Sequence, residues 1–435
     1  MSVYRARVVD TPDDPFRGGA LRSDDDAGIA VRDGVIVDRG GYVDVRARHP
    51  DDDVVDLRDG VLLPGLVDTH VHYPQLRVIA GLGMPLLDWL DHCALPEEAR
   101  LVNLDYACEV AHEFVTGLVD AGTTTALVFG SHFAPAVNAL FEAADTAGLR
   151  VTSGLVVSDR LLRPELHTTP QRAYDEGRAL AERWHGARRL RYAVTPRFSL
   201  SCDNELLDSC RALHADVNGS WFTSHINENP AEIAQVQELF GGSYLDSYDK
   251  HGLVGARSVF AHNVHPTDTE LKLLADTGAA VSHCPTSNAA LGSGLFPLDR
   301  HIGHGVAVAL GSDVGAGTGL SLFKEGLQAY FIQRLRGGDG VPLRPAHLLH
   351  LATSAGAAAL GLRDRIGDLG VGKRFDAVWV RPDPGTPLDV GLRHSDDAEA
   401  AVAKIFALAT PHEVAGVWVD GDAVKRERSF RDAEI

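Results

Sequence analysis

Residues Pro64 to Leu76 read PGLVDTHVHYPQL and set His70 and His72 one residue apart at the end of an apolar run. Side chains alternate along an extended strand, so both imidazoles project to the same side. Such a pair can hold one metal ion, the alternative being two histidines satisfied by structural hydrogen bonds. Three further run ends carry groups of the same chemistry. FTSHINEN brings His225 and, three residues on, Glu228; FAHNVHP brings His262; ALGSDVGAG brings Asp313. Three imidazoles and a carboxylate suit Zn²⁺ or Fe²⁺, which accept nitrogen and hard oxygen ligands together. The competing account needs four unrelated buried polar residues to gather at strand ends by chance, and the recurrence argues against it.

The elements that must position these groups follow from the apolar pattern. From about Leu62 onward, short apolar runs alternate with longer helix-like segments, as in a βα barrel or a doubly wound sheet. The runs are VLLPGLVDTH, GTTTALVFG, RVTSGLVVSD, RLRYAVTPRF, SWFTSHINE, RSVFAHNV, AAVSHCPTS and VAVALGSDV, and their number, eight, favours a closed (β/α)₈ barrel of the TIM type. In such a barrel the active site lies at the C-terminal ends of the strands, where each polar group above falls. TPQRAYDEGRALAERWHG and NPAEIAQVQELF read as helices between runs, with Pro and Asn near their starts and Gly near the ends. Strand-like segments before the barrel and after it, RFDAVWVRP and VAGVWVDGDAV, predict a small β domain, a β-sandwich built from both chain ends. The expected division is 1–61 for the N-terminal part of that domain, 62–368 for the barrel and 369–435 for the C-terminal part. The acid clusters SDDD and PDDD read as solvated turns, and the basic tail KRERSFRD as a solvated end.

Composition narrows the class. With 435 residues, 45% of them hydrophobic, the chain can bury a large core. A formal charge of −19 argues against general affinity for nucleic acid or anionic membrane. Five scattered cysteines without a C-x-x-C indicate neither a disulfide framework nor a cysteine-based zinc site. Without a signal-like start or an apolar stretch approaching roughly 18 residues, a soluble cytoplasmic protein is expected. Among the twenty histidines, His132 and His283 also sit near strand ends and are read as supporting or structural; His92, His112, His167 and His265 receive no role. Cys284 reads as a small buried hydrophobe.

The chain resembles the amidohydrolase superfamily through its H-x-H strand, His225, His262 and Asp313, and within it the guanine deaminases. HYPQ, PLLDWL, GTTTALVFG, ALAERWHG, YAVTPRFS, SHINEN, HCPTSN and SDVGAGT carry the finer likeness, TPRFS and HYPQ being the most specific. One departure is Leu95, which stands just before a proline where relatives usually hold an aromatic.

The resemblance implies hydrolytic deamination of guanine to xanthine and ammonia, a step of purine catabolism. It implies one Zn²⁺ per chain, or Fe²⁺, on His70, His72, His225 and Asp313, with a water whose pKa falls toward about 7. Asp313 would help deprotonate that water, His262 would hold it, and Glu228 would carry the proton to guanine N3 as C2 is attacked. Gln75, Arg197 and Phe198 would contact the purine, alongside His225, Glu228 and Asp313. Arg offers fixed donors for a carbonyl such as O6. Relatives are commonly homodimers, so a homodimer is implied, with no nucleic-acid or membrane partner.

Two-metal relatives bridge their ions with a modified lysine at the end of strand four; AVTPRFSL has no lysine there, which favours one metal. Deamination of another aminopurine, or of an amino- or chlorotriazine, is the nearest alternative. The missing cysteine pair excludes the other zinc deaminase fold. A binding protein on the same fold would be expected to lose ligands, and none is lost here.

Overall fold

A computed structural model describes residues 2–425. Eight strands run parallel in chain order: Leu66–His72, Thr123–Phe129, Arg150–Gly154, Leu190–Pro196, Trp221–Ile226, Ser258–His262, Ala280–His283 and Ala307–Leu310. They are almost wholly buried, which is why each reads as a continuous apolar run and not as an alternation. The ends of the sheet meet. Thr69 Oγ1 donates to the Leu310 carbonyl at 2.8 Å, the Asp313 N–H to His70 O at 2.8 Å, and the His72 N–H to Val314 O at 2.9 Å. The expected TIM-like barrel is therefore present, with its polar strand ends at one mouth.

The two chain ends share a second sheet of seven strands, in the spatial order Asp422–Lys425, Val414–Val419, Ala377–Val380, Asp53–Pro64, Ser2–Asp10, Arg22–Arg32 and Val35–Gly41. Asp10 fastens these ends together. Its buried carboxylate accepts from Arg22 at 2.5 Å, from Arg39 at 2.7 Å and from the Leu369 N–H at 2.8 Å. Burial pushes that carboxyl up, and the two guanidiniums more than offset this, leaving it below its ordinary range.

Two expectations are corrected. VLLPGLVDTH is not one strand: Val61 to Pro64 pair with Ala377–Val380 in the end-built sheet, and from Leu66 the chain pairs with Thr123–Phe129 in the barrel. Both halves are buried, so no change of hydrophobic period marks the crossing at Gly65. SDDD, residues 23–26, is not a turn but lies within Arg22–Arg32, because Arg5, Arg7 and Arg39 on neighbouring strands supply counter-charges to Asp26, Asp25 and Asp24. PDDD does sit at a turn that leads into Asp53–Pro64.

The helices start where their caps predict. Thr169 accepts from the Arg172 N–H ahead of Pro170–Trp184, and Asn229 from the Ala231 N–H ahead of Pro230–Phe240, each with proline in the first turn. Among the described residues no helix is long and apolar enough to cross a membrane. The basic tail beyond Lys425 lies outside the described residues.

Candidate active site

His70 and His72 end the first barrel strand facing the same way, as the strand period requires. His72 Nε2 stands 3.0 Å from His70 Nε2, 3.3 Å from His225 Nε2 and 3.2 Å from Asp313 Oδ1, and His70 Nε2 is likewise 3.2 Å from Asp313 Oδ1. Around a tetrahedral ion with bonds of about 2.1 Å, neighbouring ligand atoms lie about 3.4 Å apart, so this spacing fits one ion. His262 joins the group, since one donor atom from each of His70, His225, His262 and Asp313 lies within 4.8 Å of the others. The site thus gathers five donors, one more than a tetrahedral ion uses.

The surroundings fix the chemical state of these donors. His225 Nδ1 donates to the Arg197 carbonyl at 2.6 Å, which leaves the lone pair on Nε2, facing the cluster. Burial pushes His72 down to about 4 and His225 well below its ordinary value, so both rings are neutral near pH 7, as ligation requires. Asp313 is held ionised: burial opposes this, but the contacts with His70 and His72 prevail. Ser287 Oγ donates to its Oδ2 at 2.5 Å. Phe129, at the end of the second strand, packs its ring 4.6 Å from the rings of both His72 and His225.

His262 is set differently. Its Nδ1 donates to Asn288 Oδ1 at 3.0 Å, and its Nε2 lies 3.4 Å from Glu228 Oε2 and 3.8 Å from Asp313 Oδ2. Asn227, His262, Asn263 and Asp313 have positive φ values of 50°, 71°, 50° and 47°. Left-handed backbone is costly in such residues, and here it turns the chain at the ends of strands five, six and eight. Gly311 allows the close approach behind the cluster, where a Cβ would meet Ser282 Oγ at 2.4 Å and His70 Cβ at 2.9 Å.

Beside the cluster opens a cavity onto which Gln75, Arg197, Phe198, His225, Glu228 and Asp313 all face. All the residues expected at the site are therefore brought together, with His70 behind the cavity wall. Leu86, Trp89 and Leu90 close the apolar side. Leu95 is not part of this lining and is buried in the core. Glu228 is fully enclosed and takes one hydrogen bond, from Ser293 Oγ at 3.2 Å; burial and the Asp313 charge push its carboxyl up to about 8. A second acid, Glu232, also faces the cavity and accepts from the Tyr244 hydroxyl.

The sequence reading missed Glu98. This buried carboxylate accepts from Gln75 Nε2 at 2.7 Å and from Arg197 Nη1 at 2.8 Å on each oxygen, with His132 Nε2 3.4 Å away. Burial pushes it up, yet Arg197 and His132 outweigh that and hold it well below the carboxylate range. His132 thus touches Glu98 and not the metal-type cluster, the supporting place expected of it. His283 is buried against Phe296, ring centroids 4.1 Å apart, and Cys284 is buried with its thiol pushed up, so neither acts as an exposed reactive group. The signal that could have disclosed Glu98 was its place in LPEEAR, just after the PLLDWL segment that closes the cavity.

The amidohydrolase family profile matches residues 61–424. A Deinococcus radiodurans protein named as a probable guanine deaminase is 58% identical over 432 residues, 98% of each chain being covered. Of solved structures, an E. coli guanine deaminase superposes with a TM-score of 0.94 at 35% identity, covering 98% of this chain and 100% of its own. A guanine deaminase from C. acetobutylicum, determined with guanine bound in its active site, gives a TM-score of 0.90 at 26% identity over 97% of this chain and 99% of its own. Likeness of that extent, running the length of both chains, makes this chain a member of the amidohydrolase family, among its guanine deaminases.

Proposed function

We infer that this chain hydrolyses guanine to xanthine and ammonia. The observation that carries the reading is the cavity itself, whose lining brings Arg197, Gln75 and Phe198 together with Glu228, His262 and Asp313. We assign His70, His72, His225 and Asp313 as holders of one ion, Zn²⁺ or Fe²⁺, on the strength of their spacing and donor types. When bound, that ion supplies Lewis acidity, which lowers the pKa of water toward about 7.

The chain's own groups then divide the work. Arg197 turns Nη1 to both oxygens of Glu98, and its Nη2 and Nε hydrogens are left to donate to a ligand oxygen such as O6. Phe198 offers a ring against the purine. Asp313, held ionised, accepts a proton from the attacking water. Glu228, its carboxyl pushed up to about 8 by burial and the Asp313 charge, delivers a proton to N3 as C2 becomes tetrahedral. The proton taken by Asp313 passes to the amino nitrogen, the C2–N bond breaks to release ammonia, and the C2 hydroxyl returns its proton to Glu228. His262, with Nδ1 spent on Asn288, presents its Nε2 lone pair between Glu228 and Asp313. Counted whole, guanine and water become xanthine and ammonia.

The division at 1–61, 62–368 and 369–435 accompanies this reading with its first boundary carried to Gly65, where the chain crosses between the sheets, as do a cytoplasmic location and a homodimer. Sedimentation would test the homodimer, a monomeric chain being the result against it. The function is tested by following xanthine from guanine beside ammonia from adenine, cytosine, 2,6-diaminopurine and an aminotriazine. Guanine is expected to be the substrate turned over fastest. Turnover of another member of the panel without guanine refutes the assignment.

A further inference from the structure

We propose that Glu98 is a positioning residue that decides which hydrogen-bonding edge the cavity shows its substrate. The proposal rests on the guanine reading and adds to it a residue that touches no substrate. Gln75 is ambivalent by nature, since an amide can donate or accept. Here its Oε1 is taken by the Gly315 N–H at 3.0 Å and its Nε2 by Glu98 at 2.7 Å. Turning the amide over would set N–H against N–H and oxygen against carboxylate, so Glu98 and Gly315 together lock it. Its second Nε2 hydrogen has only a long contact, 3.4 Å to His72 Nδ1, so what Gln75 offers a ligand is a donor. Arg197 is fixed from the same carboxylate through Nη1, and the rigid guanidinium then aims Nη2 and Nε.

Both residues are therefore donors at one edge. A ligand that suits them carries adjacent acceptors there, such as an oxo group beside an unprotonated ring nitrogen. An amino group at that edge meets donors with donors and leaves them unpaired. Glu98 is itself well anchored: its chain neighbour Glu97 accepts from the Tyr106 hydroxyl and from Arg100 at 2.9 Å, which steadies the short helix Leu95–Arg100. The carboxylate draws together residues from after the first, second and fourth barrel strands, namely Gln75, His132 and Arg197. A carboxylate acting merely as a structural counter-charge would hold the barrel mouth together without affecting the choice of purine.

The test is Glu98→Gln, which keeps the shape, removes the charge and frees the Gln75 amide. Metal content should match the wild type. kcat/KM on guanine should fall by about 10- to 100-fold, mostly through KM, while that on 2,6-diaminopurine changes less than about threefold, so the gap between them narrows. A second arm measures coupling. In an Arg197→Ala background, Glu98→Gln should cost clearly less on guanine than in the wild type, because only Gln75 is left for it to position. An equal cost in both backgrounds, or an equal loss on both purines, overturns the proposal. Should Glu98→Gln fail to fold, Gln75→Met leaves the Glu98–Arg197 pair in place and must still narrow the gap; an unchanged gap overturns the proposal. A wild-type chain inactive on guanine would instead refute the functional reading, and the coupling between positions 98 and 197 is then read on whichever panel substrate releases ammonia.

Discussion

Arg197→Ala separates the recognition of guanine from the stability of the barrel mouth, because the side chain serves both. Toward substrate it removes charge-assisted hydrogen bonds to a carbonyl, worth about 1.5–3 kcal/mol, which is about 10- to 150-fold in kcat/KM. Toward the fold it strips Glu98 of the cation that contacts both of its oxygens, leaving Gln75 and His132 beside a buried carboxylate. Breaking such a pair costs about 3–5 kcal/mol, within the roughly 5–15 kcal/mol a domain has. The variant should therefore fold, with a lowered melting temperature and full metal. On 2,6-diaminopurine, whose 6-amino group opposes the Arg197 donors, the loss removes a mismatch, and kcat/KM should hold or rise. The assay is ammonia release from both purines across a range of concentrations, with metal content and melting recorded on the same preparation. A guanine kcat/KM within about threefold of wild type, or an equal fall on both purines, would refute the placement of Arg197 at O6.

His72→Ala removes a donor that sits 3.0–3.3 Å from three others, and should abolish metal retention and turnover together while circular dichroism stays that of the folded barrel. Glu228→Gln keeps the shape but cannot cycle a proton, so metal should remain while kcat falls on the order of 10²-fold or more; near-normal kcat would take Glu228 out of the chemistry. Asp10 ionises more easily folded than unfolded, so its stabilisation is complete above the unfolded value of about 3.9 and drains away as pH falls below it. Asp10→Asn should accordingly destabilise the wild type at pH 7 and by much less at pH 3, as read from urea midpoints; an equal loss at both pH values would contradict the ion-pair account.

The barrel and the cluster were legible because each depends on a short-range rule. Alternation along a strand sets His70 beside His72, and the parallel barrel brings the ends of buried runs to one mouth, which recruits His225, His262 and Asp313 without any knowledge of contacts. What escaped was set by packing between distant segments. Glu98 meets Gln75 and Arg197 across 23 and 99 residues of sequence, and in isolation a Glu beside another Glu in a helix looks like a solvated face. Phe129 reads as one more apolar residue of its strand, although its ring lies against His72 and His225. The crossing at Gly65 was hidden because strands buried in either sheet carry the same apolar signature. The SDDD segment misled for the opposite reason: its acids look solvated until Arg5, Arg7 and Arg39 arrive from neighbouring strands.

The central claim, guanine deamination supported by a single ion on His70, His72, His225 and Asp313, is tested most directly by metal titration. The chain is stripped with a chelator, Zn²⁺ is returned in measured steps, and xanthine formation from guanine is followed at each. Activity should rise from near zero and break sharply at about one ion per chain, as a one-metal site requires. A break at two ions per chain, activity that survives stripping, or no xanthine at any loading would contradict the account.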